Sequence, residues 1–91
     1  MVPRWRAKAA RDREALFDFI AALSPQGALH VDMEISRAVD LLSTVPELGR
    51  KGRVKGTREY VVTHNLVLVY RLRPRLQVLE IVRLLGARQR S

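Results

Sequence analysis

Ninety-one residues, 47% apolar and 29% charged, suffice for one folded domain (residues 1–91) with a single modest core, and exclude a disordered tail. The absence of cysteine excludes disulfides, thiolate metal sites and a cysteine nucleophile. The formal charge of +8 is unevenly placed: six Lys/Arg meet six Asp/Glu up to Pro46, whereas eleven meet three from Glu47 onward. A localised positive field of this kind draws polyanions or acidic protein segments and contributes little to fold.

Val2 to Arg6 is a short extended opening around Trp5, with Pro3 suiting a sheet edge because it lacks a backbone donor. Ala7 to Leu23 predicts an amphipathic helix, with Leu16, Phe19, Ile20 and Leu23 at helical spacing as its apolar stripe. Ser24-Pro25 reads as an N-cap followed by proline at the first helical position. A second helix follows to about Ser43, with Val31, Ile35, Ala38, Val39 and Leu42 as its buried stripe. Val45-Pro46 ends it, since a residue before proline is pushed out of helical geometry. So short a connection makes the pair an antiparallel hairpin. Thr57–Thr63, Leu66–Leu72 and Leu76–Leu85 are rich in Val, Leu, Ile and Tyr and are separated by short turns, which predicts an antiparallel three-stranded meander. Along its middle strand Leu66, Leu68, Tyr70 and Leu72 share one face, and Val67, Val69 and Arg71 the other. The order β-α-α-β-β-β gives an α+β domain, a helical hairpin packed on a small antiparallel sheet.

The basic segment that leads into the meander carries Arg50, Lys51, Arg53 and Lys55 between Gly49, Gly52 and Gly56. It is either an anion-contacting loop or a solvated connection; spacing alone leaves both open. It is not a nucleotide-binding P-loop, because the Gly-x-x-x-x-Gly-Lys-Ser/Thr pattern is missing. Arg58 and Tyr60 alternate on the first meander strand and so project from one face. With Arg71, Arg83 and Arg88 they could surround a phosphate, arginines stabilising charge and a tyrosine hydroxyl moving a proton; a structural tyrosine among surface arginines is the plainer reading. His30 and His64 are the only imidazoles, and they lie far apart. His64, in a turn, could serve as a general base, or be merely solvated. No cluster of ligands suggests a metal, and no cofactor is expected. Only 5% of residues are aromatic, which argues against several base-stacking platforms. Residues 1–23 carry charges throughout and lack the apolar core of a signal peptide. No apolar run approaches the roughly 20 residues that span a bilayer. The expected setting is the cytoplasm, with no membrane partner.

Taken in order, several segments resemble the RelE/ParE superfamily of toxins from bacterial type II toxin–antitoxin systems. They are Trp5, the helix with Asp12 and Ile20, Ser24-Pro25, Leu42…Pro46…Gly49-Arg50, Gly52-Arg53-Val54-x-Gly56-Thr57-Arg58-Glu59-x-Val61-Val62, Val69-Tyr70-Arg71 and the closing Gly86-Ala87-Arg88-Gln89. The resemblance spans almost the whole chain. It implies a neutralising antitoxin with an acidic, initially disordered segment, and hence a hetero-oligomer. It also implies one of two targets. RelE-like members are ribosome-dependent endoribonucleases acting on messenger RNA; ParE-like members poison DNA gyrase. The nuclease branch places basic residues on the first two meander strands, an arginine after the last strand, and usually a tyrosine or histidine near the C-terminus. Here Arg58 and Arg88 match such positions. Tyr60 stands where a second basic residue is expected, Val67 where an arginine is expected, and Leu85 replaces a histidine common in relatives. No tyrosine or histidine follows Tyr70. These departures favour the gyrase-directed branch, with Arg50, Lys51, Arg53, Lys55, Arg58, Arg71, Arg83 and Arg88 as target-contacting cations. The alternative is messenger RNA cleavage with Arg58, Arg71 and Arg88 on phosphate and Tyr60 or His64 moving protons. A non-toxic basic nucleic-acid-binding domain is a third reading.

Overall fold

In the computed structural model residues 1–86 are described; Arg88, one of the expected cations, lies outside them. Strand β1 (Val2–Trp5) leads into helix α1 (Ala7–Leu23), and Ser24 alone separates it from α2 (Pro25–Thr44). The Ser24 hydroxyl accepts from the Gly27 N–H at 3.0 Å, so the residue closes one helix and caps the next. A 3-10 turn over Pro46–Leu48 feeds β2 (Arg50–Lys51), followed by β3 (Arg58–Thr63), β4 (Leu66–Arg73) and β5 (Val78–Gly86).

The helical hairpin and the antiparallel meander β3–β4–β5 form as expected, and two further strands extend the sheet. Its order is β1-β5-β4-β3-β2, and it is mixed, because β1 runs parallel to β5. The last strand begins at Val78 and not at Leu76. Pro74 starts a second 3-10 turn, and Gln77 takes a left-handed conformation (φ 55°), delaying re-entry into the sheet.

One face of the sheet carries Leu68, Tyr70, Leu79, Ile81 and Leu84 against Ile35, Val39 and Leu42 of α2 and Ala9 of α1. Every one of these is buried. Helix α1 is held differently from α2. Only Ala9 of its 17 residues is buried, and Phe19 and Leu23 from its expected apolar stripe are 69% and 78% exposed. The reason is position: α1 lies beside β5 and α2, and its C-terminal half runs past the turn that joins β3 to β4. Four contacts fix it there. Arg13 stacks on Trp5 of β1, with its guanidinium 4.9 Å from the ring centroid, and bonds Asp32 of α2 at 2.7 Å. Arg83 of β5 bonds both carboxylate oxygens of Asp12, at 2.8 and 3.2 Å. The same carboxylate accepts the Leu84 N–H at 3.0 Å, where β5 has outrun β1 and its edge would otherwise be unpaired.

Candidate target-binding surface

The basic segment is a built hairpin end. Gly52 N–H bonds Thr57 C=O at 2.8 Å, and the Thr57 hydroxyl bonds the Val54 carbonyl at 2.6 Å. Gly56 takes φ +84°, which only glycine adopts without strain. The Glu59 carboxylate, 8% exposed, accepts the Arg53 N–H at 3.1 Å and lies 3.9 Å from the Arg50 guanidinium. These contacts hold Arg50, Lys51, Arg53 and Lys55 outward, all exposed. The segment is thus a structured hairpin end whose four cations stand in solvent.

The loop's other root is anchored by Tyr70. Its buried hydroxyl donates to the Pro46 carbonyl at 2.6 Å and accepts the Gly49 N–H at 2.8 Å. Burial raises the pKa of this phenol above its ordinary value, outweighing the opposing Gly49 N–H and the nearby Arg58 charge. Arg58 is committed to the same root, donating to the carbonyls of Glu47 at 3.1 Å and Gly49 at 2.8 Å. Sequence pattern marks Tyr70 as a core-facing residue but carries no signal for this second task, nor for that of Glu59.

The expected phosphate-binding group is not assembled among the described residues. Arg58 and Tyr60 stand opposite Tyr70 and Leu68 in the β3–β4 register, on the face the helices cover. Arg71 alternates to the other face, opposite Glu80. Arg83 is spent on Asp12, which raises its own pKa. His64 is exposed in the β3–β4 turn, its ring beside the Asn65 amide at 2.9 Å, at the opposite end of the sheet from the basic loop. His30 is exposed on α2. The position where the nuclease branch would have an arginine holds Val67, and its register partners are Val61 and Leu85. Where cations would be needed, the sheet presents an aliphatic row. No group of three His, Cys, Asp or Glu could hold a metal among the described residues, and no helix there is long and apolar enough to cross a membrane.

At the far end from the basic loop, the overhang of α1 and the β3–β4 turn enclose an apolar groove of about 560 Å³. Leu16, Phe19, Ile20, Leu66 and Leu84 form its walls, and Asp12, His64 and Asn65 its rim. The exposed stripe of α1 is thus one wall of a groove large enough for several side chains of another molecule.

Three comparisons bear on this architecture. Residues 4–90 match the family described as ParE toxin of type II toxin-antitoxin system, parDE. The chain is 32% identical over 80 residues to a protein of Sinorhizobium fredii (strain NBRC 101917 / NGR234) named "Putative toxin Y4kP", covering 87% of this chain and 83% of that one. It also superposes on a chain from the structure titled "Chromosomal ParDE TA system from P. aeruginosa", with a TM-score of 0.82 and 27% identity over 94% of this chain and 95% of the other. With its helical hairpin on a five-stranded sheet and the ParE match running from β1 past the end of β5, this chain belongs to the ParE toxin family of type II toxin–antitoxin systems.

Proposed function

We propose that this toxin arrests growth by engaging DNA gyrase, and that a cognate acidic antitoxin neutralises it. Membership of the ParE family carries the reading. The sheet supports it over messenger RNA cleavage. Cutting RNA through its own 2′-hydroxyl needs a base, an acid and charge stabilisation converging on one phosphate. Here Arg58 and Tyr60 face the helices, Arg71 faces away, His64 sits at the far turn, and Val61, Val67 and Leu85 fill the row between. Inhibition of an enzyme by contact needs no such convergence.

The antitoxin's apolar side chains would occupy the groove beside Phe19, and its acidic residues would answer the positive charge of the second half. Association would be fast and salt-dependent, and release slow.

The test is purified toxin with gyrase, supercoiled plasmid and ATP, followed by detergent and protease. Accumulation of linear plasmid that requires both proteins, and that disappears on adding the antitoxin, is the expected result. Messenger RNA cut on translating ribosomes, with no plasmid cleavage, would overturn the proposal.

A further inference from the structure

Two basic turns lie at one end of the sheet. Because Arg58 pairs with Tyr70, the Lys51–Thr57 loop sits beside the C-terminal end of β4, where the Arg73–Gln77 connection also turns. The first turn presents Lys51, Arg53 and Lys55, the second Arg75, and all four are exposed. No carboxylate among the described residues lies within ion-pair distance of any of them, whereas Arg13, Arg50, Arg73 and Arg83 each have one. Arg71, just before the second turn, has a buried Nε with no acceptor among the described residues. At this end four exposed cations stand without a carboxylate, beside Arg50 and Arg73, which each have one.

Spacing indicates what this end fits. The β2–β3 loop and the β4–β5 turn are two strand separations apart in the order β1-β5-β4-β3-β2. At roughly 4.8 Å per separation that is about 10 Å, close to the width of a DNA major groove, about 12 Å. Two cationic turns at this distance can touch phosphates on opposite sides of one groove. A protein partner would call for an aromatic or aliphatic pocket as an anchor. In the first of these turns the sole exposed large apolar side chain is Val54. The second carries Leu76 beside Leu72 and Pro74 in an open hollow of about 540 Å³, which has no aromatic lining and which Arg73 and Arg75 also line. The groove beside Phe19 is at the opposite end.

We infer that the paired turns carrying Lys51, Arg53, Lys55 and Arg75 are a contact site for the phosphate backbone of duplex DNA. The site is independent of base sequence and separate from the groove beside Phe19. The binding requires no gyrase, so it stands or falls apart from the proposed target. If gyrase is the target, the same contact lets the toxin hold DNA and enzyme together.

The test is fluorescence anisotropy of a labelled random-sequence 20-base-pair duplex with the purified toxin alone, at 50 to 200 mM KCl. With about four phosphates neutralised, one per cation, the slope of log K against log salt is about −3.6, and Lys51→Gln/Lys55→Gln lowers its magnitude by about 1.8. The charge-matched control Lys8→Gln/Arg11→Gln, on the exposed surface of α1, leaves the slope within about 0.5 of the parent. Arg75→Gln alone lowers it by about 0.9. Circular dichroism melts of all variants coincide with the parent, since every substituted side chain is exposed. Equal loss in the control pair would reduce the effect to net charge and overturn the site. So would absence of binding at 50 mM KCl. Tighter binding of a poly-glutamate of matched charge than of the duplex would assign this end to an acidic protein and overturn it as well.

Discussion

Removing one oxygen should distinguish the structural tyrosine from the incidental one. In Tyr70→Phe the ring keeps its place between the helices and the sheet, so the apolar burial is unchanged. What goes is a hydroxyl that donates to Pro46 at 2.6 Å and accepts from Gly49 at 2.8 Å. Tyr70 is wholly buried and Gly49 is buried, so the Gly49 N–H loses its acceptor out of reach of bulk water. A net hydrogen bond is worth about 1 kcal/mol, and an abandoned buried polar group costs about 1–3 kcal/mol. The expected loss is about 2–3 kcal/mol, or a fall in Tm of about 10–20 °C for a domain of this size. Tyr60→Phe is the control: Tyr60 packs against the same core half-buried, and its hydroxyl has no hydrogen-bond partner among the described residues, so the change should stay within about 0.5 kcal/mol. Urea unfolding followed by Trp5 fluorescence measures both, with m unchanged if only the native state is affected. Equal losses in the two variants, or a Tyr70→Phe loss below about 0.5 kcal/mol, would refute the anchoring role.

Gly49→Ala attacks the same joint from the other side. Its added Cβ would stand 2.5 Å from the Tyr70 hydroxyl oxygen and 2.7 Å from the ring, so the loop root must shift, at about 2–3 kcal/mol in the same unfolding assay. Asp12→Asn should cost about 1–2 kcal/mol at pH 7 by loosening α1 from the β5 edge. Burial alone would raise the Asp12 pKa, but the bonds from Arg83 and Leu84 outweigh it and hold the carboxyl below its ordinary 3.8. Its contribution is therefore fully present above about pH 3.8 and is lost as pH falls through the native value, so the gap between parent and variant should close in acid urea titrations. Phe19→Ser should leave stability within about 0.5 kcal/mol, because the side chain is already 69% exposed. It should weaken antitoxin binding about 30-fold in calorimetry, the equivalent of about 2 kcal/mol at a central contact.

The elements that depend on neighbouring residues were legible in the sequence. Ser24-Pro25 marks the start of α2, the meander follows from its short turns, and alternation along β4 separates Tyr70 from Arg71. Pairing between distant segments was not. Nothing local says that Val2 joins Val78 in parallel, or that two residues at Arg50 and Lys51 complete the other edge. The apolar stripe of α1 was visible, but its coverage was not. Whether Phe19 is buried depends on how far the helix overhangs the sheet, which pattern does not encode. The arginines were the least legible. Arg58, Arg75 and Arg83 have the same chemistry in sequence, yet one ties loop carbonyls, one stands free among the described residues and one holds a carboxylate. Partner choice decides which remains available to a ligand, and that choice is tertiary.

The uneven charge of the chain becomes a division of the molecule once these pairings are counted. Of the carboxylates in the second half, Glu59 lies beside Arg50 and accepts the backbone N–H of Arg53, and Glu80 pairs with Arg73, while Asp12 crosses from the first half to neutralise Arg83. Among the described residues of the second half, the exposed cations left without a carboxylate are those of the two turns, which share an end because β3 and β4 are antiparallel. The helices run the other way past the β3–β4 turn, so the uncovered apolar surface gathers at the opposite end, in a molecule 41 Å long. On the proposed reading, an amphipathic antitoxin segment seats its apolar residues in the groove, at the end away from the turns that take DNA phosphates. Raising salt should then weaken the antitoxin complex less than the DNA contact, because apolar burial is not screened.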